Sequence, residues 1–177
     1  MDETDILLTV AEIGVALAGF ASLAAILGRR YKDTDPLVNA IRLRGLLDAG
    51  LSTMLLALIG VLMLQIGGSS LWVWRAAGIA GLIFVSTIGT AAFRREKLRR
   101  HLPGFRKHVS KIMFFLVASA FAGFAVISAG FAGDYGFQIF LGALCLLLII
   151  CCTMFVLVIA SLMSSAQDVD IESGGQR

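Results

Sequence analysis

The chain has 177 residues, of which 58% are hydrophobic and 15% are charged. A typical soluble domain carries roughly 25% charged residues, so this composition excludes an ordinary soluble globular domain and indicates a membrane protein. The formal net charge is only +3. The basic residues lie beside apolar segments rather than in a separate patch, so we predict no nucleic-acid partner.

Five mostly apolar runs follow one another along the chain, and each approaches the ~20 residues that a helix needs to cross a bilayer. They leave no room for a second domain, so we predict a single all-α domain over residues 1–163, a polytopic bundle of five transmembrane helices. The predicted helices are 6–27, 36–66, 71–101, 105–132 and 137–163. A polar, acidic and disordered tail is predicted at 164–177.

The first helix carries an acidic residue inside its apolar run. Its leader, residues 1–5, is acidic, whereas a cleaved secretory signal begins with a positive segment, so we predict a retained anchor with the N-terminus outside. Glu12 shares a helix face with Thr9, Ala16 and Gly19. A carboxylate there is costly, at about 2.5–3.5 kcal/mol in mid-bilayer and less toward the edge.

Two interpretations of Glu12 remain open: part of an ion path, or a structural ion pair with Arg75 on the third helix. If both helices start at the same level, the two side chains lie roughly 9 and 6 Å below the outer edge, at 1.5 Å per residue. The sequence therefore predicts that Glu12 and Arg75 lie at similar depth.

A repeated tetrapeptide predicts close helix contacts. Ala-Gly-Phe-Ala occurs at 18–21, 122–125 and 129–132. Small residues let membrane helices approach closely, either in a crossing of helices 1 and 4 or between subunits. The similarity of two helices that run in opposite directions also leaves an inverted repeat open. The predicted contact residues are Ala16, Gly19, Ser119, Gly123 and Gly130.

The remaining chemistry-bearing residues form no recognisable site. Cys145, Cys151 and Cys152 match no zinc spacing and are interpreted as small hydrophobes. His101 and His108 lack a third ligand nearby, so we predict no metal site.

Arg44 and Asp48 have the i, i+4 spacing of an interfacial ion pair. The chain contains no GxSxG, HExxH, Walker-type or dinucleotide motif, and we predict neither an enzyme nor a cofactor.

Basic residues give the predicted orientation. Thirteen of the 15 Lys and Arg lie at 29–44 and 94–111, and positive residues mark the cytoplasmic side. Trp72, Trp74 and Tyr135 fit the aromatic belt at the outer side, and Tyr31 fits it at the inner side. We therefore predict a multi-pass protein of the cell (inner) membrane, with the N-terminus outside and the C-terminus inside.

A cytoplasmic basic collar is predicted to bind anionic lipid headgroups. Its residues are Arg29, Arg30, Arg42, Arg44, Arg94, Arg95, Arg99, Arg100, Arg106, Lys107 and Lys111.

Two functions fit this pattern. The first is an oligomeric, channel- or permease-like protein with Glu12 in a close-packed helix interface. The second is an accessory or scaffold protein that binds a partner membrane protein through small-residue faces. The predicted partners are therefore membrane lipids and either further copies of the chain or another membrane protein.

Reporter fusions test the orientation. Fusions after residues 35, 69, 103, 135 and 170 should report inside, outside, inside, outside and inside, because the two basic segments are retained in the cytoplasm. A reversed pattern, or a pattern that requires an even number of spans, would contradict the predicted topology.

Overall fold

The computed structural model describes the backbone of residues 2–28, 36–67, 70–99 and 107–174, and the side chains of 2–23, 43–67, 70–90 and 112–160. Within these residues the chain is 95% helical and has no strand, which confirms the predicted all-α fold. The five α-helices are α1 (Glu3–Gly28), α2 (Pro36–Gly67), α3 (Leu71–Arg99), α4 (Lys107–Ser128) and α5 (Gly136–Gly174). A short 3-10 helix, Gly133–Tyr135, lies between α4 and α5.

Four stretches of the described chain are long and apolar enough to cross a membrane. They are Glu3–Leu23, Leu43–Gly67, Leu71–Thr90 and Gly133–Ala160. In α4 the apolar segment Ile112–Ser128 is shorter; at 1.5 Å per residue it covers about 25 Å of a ~30 Å hydrocarbon core. The chain is therefore a small helical bundle of the integral membrane type.

The helices form a wedge of three layers. α1 packs against α2 and α5, which also pack against each other; α3 and α4 pack together on the far side of that pair. α1 is thus the narrow edge of the wedge, and the α3–α4 pair is its broad side. The start of α1 and the short α2–α3 and α4–α5 connections lie at one end of the bundle, which we call the hairpin end.

The predicted crossing of helices 1 and 4 is absent from this arrangement. α2 and α5 separate α1 from the α3–α4 pair, so α1 and α4 are not packed as neighbours among the described residues. Small residues on both helices therefore do not meet each other within one chain.

Aromatic side chains fill the core near the hairpin end. The ring of Phe140 lies 5.8 Å, between centroids, from the rings of both Trp74 and Phe124. It thereby joins α3, α4 and α5 by tilted and edge-on contacts, the arrangements that aromatic pairs prefer. Glycines make room for the rings: a Cβ on Gly60 would lie 3.0 Å from Phe140, and one on Gly81 would overlap the ring of Phe124.

α1 and α2 approach each other through glycine backbone. A Cβ on Gly14 would lie 3.0 Å from the carbonyl oxygen of Gly50, and one on Gly50 would lie 3.1 Å from that of Gly14. Ala18 and Ala21 extend the same buried side of α1. Close contacts of this kind hold membrane helices together where hydrophobicity does not distinguish protein from lipid.

Two helix ends differ from the predicted boundaries. α4 ends at Ser128 rather than 132, because Gly130 adopts a left-handed conformation with φ +81°. α5 continues to Gly174 rather than ending at 163. No Gly or Pro lies between 164 and 173, so nothing in the local sequence breaks the helix before Gly174.

A matched pair of substitutions on α3 tests this packing. Gly81→Ala should lower the unfolding temperature in detergent, because its methyl group would overlap the fully buried ring of Phe124. Overpacking of this kind costs about 1–3 kcal/mol.

The control is Gly89→Ala, where no described residue lies within 4 Å of the added Cβ. It should be neutral or stabilising by up to about 1 kcal/mol, because alanine favours a helix more than glycine does. Equal unfolding temperatures for the two variants would contradict the packing of Phe124 on α3.

Candidate functional site

The small residues predicted to form a helix contact on α1 lie, together with Glu12, on the side that faces away from the bundle. Leu7, Gly14 and Ala18 are among the buried residues of α1, and they lie on the opposite side of the helix. The outward side also exposes apolar side chains such as Leu8 and Phe20. Between them lies a stripe of Asp5, Thr9, Glu12, Ala16 and Gly19, all of which are exposed. We call these five residues the α1 stripe.

Glu12 lies near the middle of the membrane-spanning part of the bundle. Leu7 contacts Gly60, and Gly14 contacts Gly50 and Met54. Because antiparallel helices advance by the same 1.5 Å per residue, Glu12 is level with about residue 55 of α2. That position is close to the centre of the Leu43–Gly67 span, so the structure places Glu12 deeper than predicted.

Arg75 lies at a different level from Glu12. Its guanidinium contacts Gly130, just beyond the end of α4 at the hairpin end. Gly67 of α2 contacts Trp72 and Val73 of α3, so Arg75 is level with about residue 65 of α2. Glu12, level with about residue 55, therefore lies about ten residues, or roughly 15 Å, deeper in the bundle. The prediction of similar depth is wrong because it assumed that α1 and α3 start at the same level.

The structure does not bring Glu12 and Arg75 together. α1 and α3 are not packed as neighbours. In the part of the chain that the structure describes, neither side chain forms an ion pair or a hydrogen bond. Within one chain, therefore, Glu12 is an outward-facing carboxyl at mid-membrane depth with no partner among the described residues.

The interior of the wedge is apolar where its side chains are described. The buried polar side chains there are Ser52 and Thr53. Their hydroxyls donate to the carbonyls of Asp48 and Ala49 on the same helix, at 2.6 and 2.8 Å. Both hydroxyls form their hydrogen bonds within α2. The described interior of a single chain therefore contains no continuous row of polar side chains that could form an ion path.

The three small residues that were predicted to form one contact surface on helix 4 lie in three different environments. Ser119 is half-buried. A Cβ on Gly123 would meet Ala143 of α5 at 3.5 Å, which is an ordinary van der Waals distance. Gly130 lies in the turn after α4 rather than in a helix contact. Among the described residues nothing lies within 4 Å of a Cβ on Gly19, so none of them forms a close helix contact there.

The three copies of the tetrapeptide have three different environments. Phe20 is 54% exposed, Phe124 is fully buried, and Phe131, which follows the α4 terminus, is 85% exposed. Equivalent positions in an inverted repeat should have equivalent burial. The structural roles of the repeated residues therefore do not match across the three copies.

Most of the basic collar lies outside the described side chains, as do His101 and His108. Arg44 is described and is exposed, and Asp48 lies one turn further along α2 and is half-buried. The collar residues without described side chains are Arg29, Arg30, Arg42, Arg94, Arg95, Arg99, Arg100, Arg106, Lys107 and Lys111. Lipid binding by the collar stays a prediction.

The cysteines form no metal centre with the other described residues, among which no three His, Cys, Asp or Glu side chains cluster. Cys151 is buried, and its Sγ donates to the carbonyl oxygen of Leu46 at 3.6 Å, linking α5 to α2. Cys145 and Cys152 are free thiols on the exposed side of α5.

Sequence analysis missed the buried small residues of α1, which are Gly14, Ala18 and Ala21. Their spacing of four and three residues is the signal that could have found them. Ala16 and Gly19 have a similar spacing on the other side of the helix, so the pattern alone did not decide which side is buried.

Comparisons of the chain with protein-family models, curated proteins and solved structures find no match.

Two substitutions on α1 test which side packs within the chain. Gly14→Leu should destabilise the detergent-solubilised monomer by about 1–3 kcal/mol, because its side chain would meet the backbone of Gly50. Gly19→Leu should change its stability by no more than about 0.5 kcal/mol, as is usual for an exposed position. Thermal unfolding followed by circular dichroism measures both, and a larger loss for Gly19→Leu would contradict the rotation of α1.

Proposed function

We propose that the protein is a subunit of an oligomeric, channel-like assembly in which the α1 stripe lines a cation path between copies. The observation that supports this most directly is the position of Glu12. Its carboxyl lies at mid-membrane depth and faces directly away from an apolar bundle.

The energetic argument concerns the surroundings of Glu12. A charged side chain facing lipid at this depth is costly, and such residues normally face a bundle interior or a water-filled cavity. The described residues of a single chain offer neither on the outward side of α1. An assembly that places several α1 stripes around a shared axis would supply water and polar neighbours to Glu12.

The wedge shape favours this arrangement. The narrow edge is a single helix on which exposed apolar residues, such as Leu8 and Phe20, flank a polar stripe that includes Glu12. The described side chains of α3 and α4 on the broad side include no carboxylate, and this side exposes large apolar residues. Five examples on α3 and α4 are Ile79, Ile83, Phe114, Phe115 and Phe121. Copies arranged with their narrow edges inward would place the polar stripe at the centre and these apolar side chains against lipid.

The chemistry of the stripe favours cations. Asp5 lies near the hairpin end, the hydroxyl of Thr9 follows, and Glu12 lies at the centre. No Lys or Arg occurs between residues 2 and 23. Rings of acidic side chains select cations in channels, and the small residues Ala16 and Gly19 leave space on the same side of the helix beyond Glu12.

The second candidate function is an accessory subunit that binds another membrane protein. The observation that favours it is the open space at Gly19, where a partner helix can approach the α1 backbone closely. In that case a polar or basic group of the partner would satisfy Glu12.

Flux measurements separate these functions. Wild-type protein in liposomes loaded with KCl should release K⁺ well above protein-free liposomes. Glu12→Gln keeps the size of the side chain but removes its charge, and it should reduce the flux at least about tenfold, equivalent to ~1.4 kcal/mol. Native mass spectrometry should show that the assembly is retained.

The control is Asp134→Asn, which removes an exposed carboxylate from the α4–α5 connection, away from α1. It should conduct like the wild type. A folded wild-type assembly without flux, or Glu12→Gln with undiminished flux, would contradict the channel proposal. A monomeric wild type without flux would favour the accessory function.

A further inference from the structure

The end of α4 is a tight glycine turn. Gly130 has φ +81°, and its N–H donates to the carbonyl of Ile127 at 3.0 Å, while the N–H of Phe131 donates to that of Val126 at 3.2 Å. This pair of bonds is the Schellman pattern, which ends helices at a left-handed glycine. The missing side chain of Gly130 leaves a space beside the helix terminus.

Arg75 occupies that space. Its guanidinium lies where a side chain on Gly130 would be. The carbonyl end of a helix carries a partial negative charge, which favours a cation at this position. The turn after α4 and the start of α3 therefore fix where the guanidinium lies, about one helical turn inside the hairpin end.

The donors of Arg75 are not used within the described part of the chain. The side chain is exposed and forms neither a hydrogen bond nor an ion pair there. Asp134, the carboxylate on the neighbouring connection, is also exposed and forms no ion pair with it. A guanidinium presents five N–H donors and needs acceptors, especially where water is scarce.

The surroundings of Arg75 indicate which acceptor is available. Trp72 and Tyr135 are exposed at the same end of the bundle, as is typical of residues at the level of lipid headgroups. Arg75 lies four residues, or about 6 Å, into the Leu71–Thr90 span. The acceptors at that level are the phosphate and ester oxygens of lipids.

We propose that Arg75, positioned by Gly130, binds the phosphate group of a phospholipid in the membrane leaflet at the hairpin end. The planar guanidinium matches two oxygens of a phosphodiester, and this bidentate contact is stronger and more specific than an ammonium contact. Phosphate recognition at Arg75 is independent of conduction along the α1 stripe, because the two lie on opposite sides of the wedge.

Lipid retention in native mass spectrometry tests this site. The detergent-solubilised full chain is titrated with phosphatidylethanolamine, whose headgroup has a phosphate but no net charge to attract it to the basic collar, and separately with inorganic phosphate as a source of free phosphate. Arg75→Gln and Gly130→Ala should each weaken the tightest lipid adduct at least about fivefold, the first by removing the guanidinium and the second by displacing it.

The controls match each change. Arg177→Gln removes an arginine that belongs neither to the basic collar nor to the site at Gly130. Gly133→Ala alters a second positive-φ glycine, with φ +52°, that has nothing within 4 Å of a Cβ. Neither should change the affinity of the tightest lipid adduct, and circular dichroism verifies that all four variants are folded.

Two results would overturn the proposal. One is a folded Arg75→Gln protein that retains the lipid as tightly as the wild type. The other is displacement of the lipid by equimolar inorganic phosphate, which would assign the site to free phosphate. Loss of binding in Gly130→Ala but not in Gly133→Ala would support the positioning role of Gly130.

Discussion

The contact between Gly14 and Gly50 determines the position of α1 in the bundle. Because neither residue has a side chain, the two backbones meet directly, and a Cβ on Gly14 or on Gly50 would lie only 3.0 or 3.1 Å from the opposing carbonyl oxygen. This contact fixes the rotation of α1, and together with Leu7 on Gly60 it fixes the depth. The direction and the level of Glu12 both follow from it, since a helix is rigid over the short distance between Gly14 and Glu12.

The helical membrane fold was predictable because it depends on quantities that the sequence contains directly. Apolar run length and turn residues place five helices, and four of the described segments have the length and hydropathy of a membrane span. The packing side of α1 was not predictable in the same way. In lipid both sides of a helix are apolar, so Ala16 with Gly19 and Gly14 with Ala18 are equivalent patterns until the neighbouring helix is known. The depth of Glu12 was not predictable either, because it depends on how far α1 is displaced along α2.

The repeated tetrapeptide also shows that the sequence of a membrane helix alone does not determine which of its residues are buried. Phe124 is buried because Gly81 on α3 leaves space for its ring, whereas Phe20 is partly exposed and lies 6.1 Å from the ring of Phe155. The last copy adopts no helix because Gly130 ends α4. The same short sequence of small and aromatic residues therefore has a different structural role at each position. The residues of the neighbouring helix determine whether its phenylalanine is buried.

The two charged residues Glu12 and Arg75 differ in what they require from their surroundings. Arg75 has a long side chain and lies about 6 Å inside the hairpin end, so it reaches headgroups without help from another protein. Glu12 has a short side chain and lies near the centre of a ~30 Å core, roughly 15 Å from either surface. Its side chain is too short to reach water at the headgroups, and the packing of α1 places it on the outer surface of the bundle. A carboxyl at this position needs either a water-filled path or a polar group from another protein, and both proposed functions therefore involve the narrow edge of the wedge rather than its broad side.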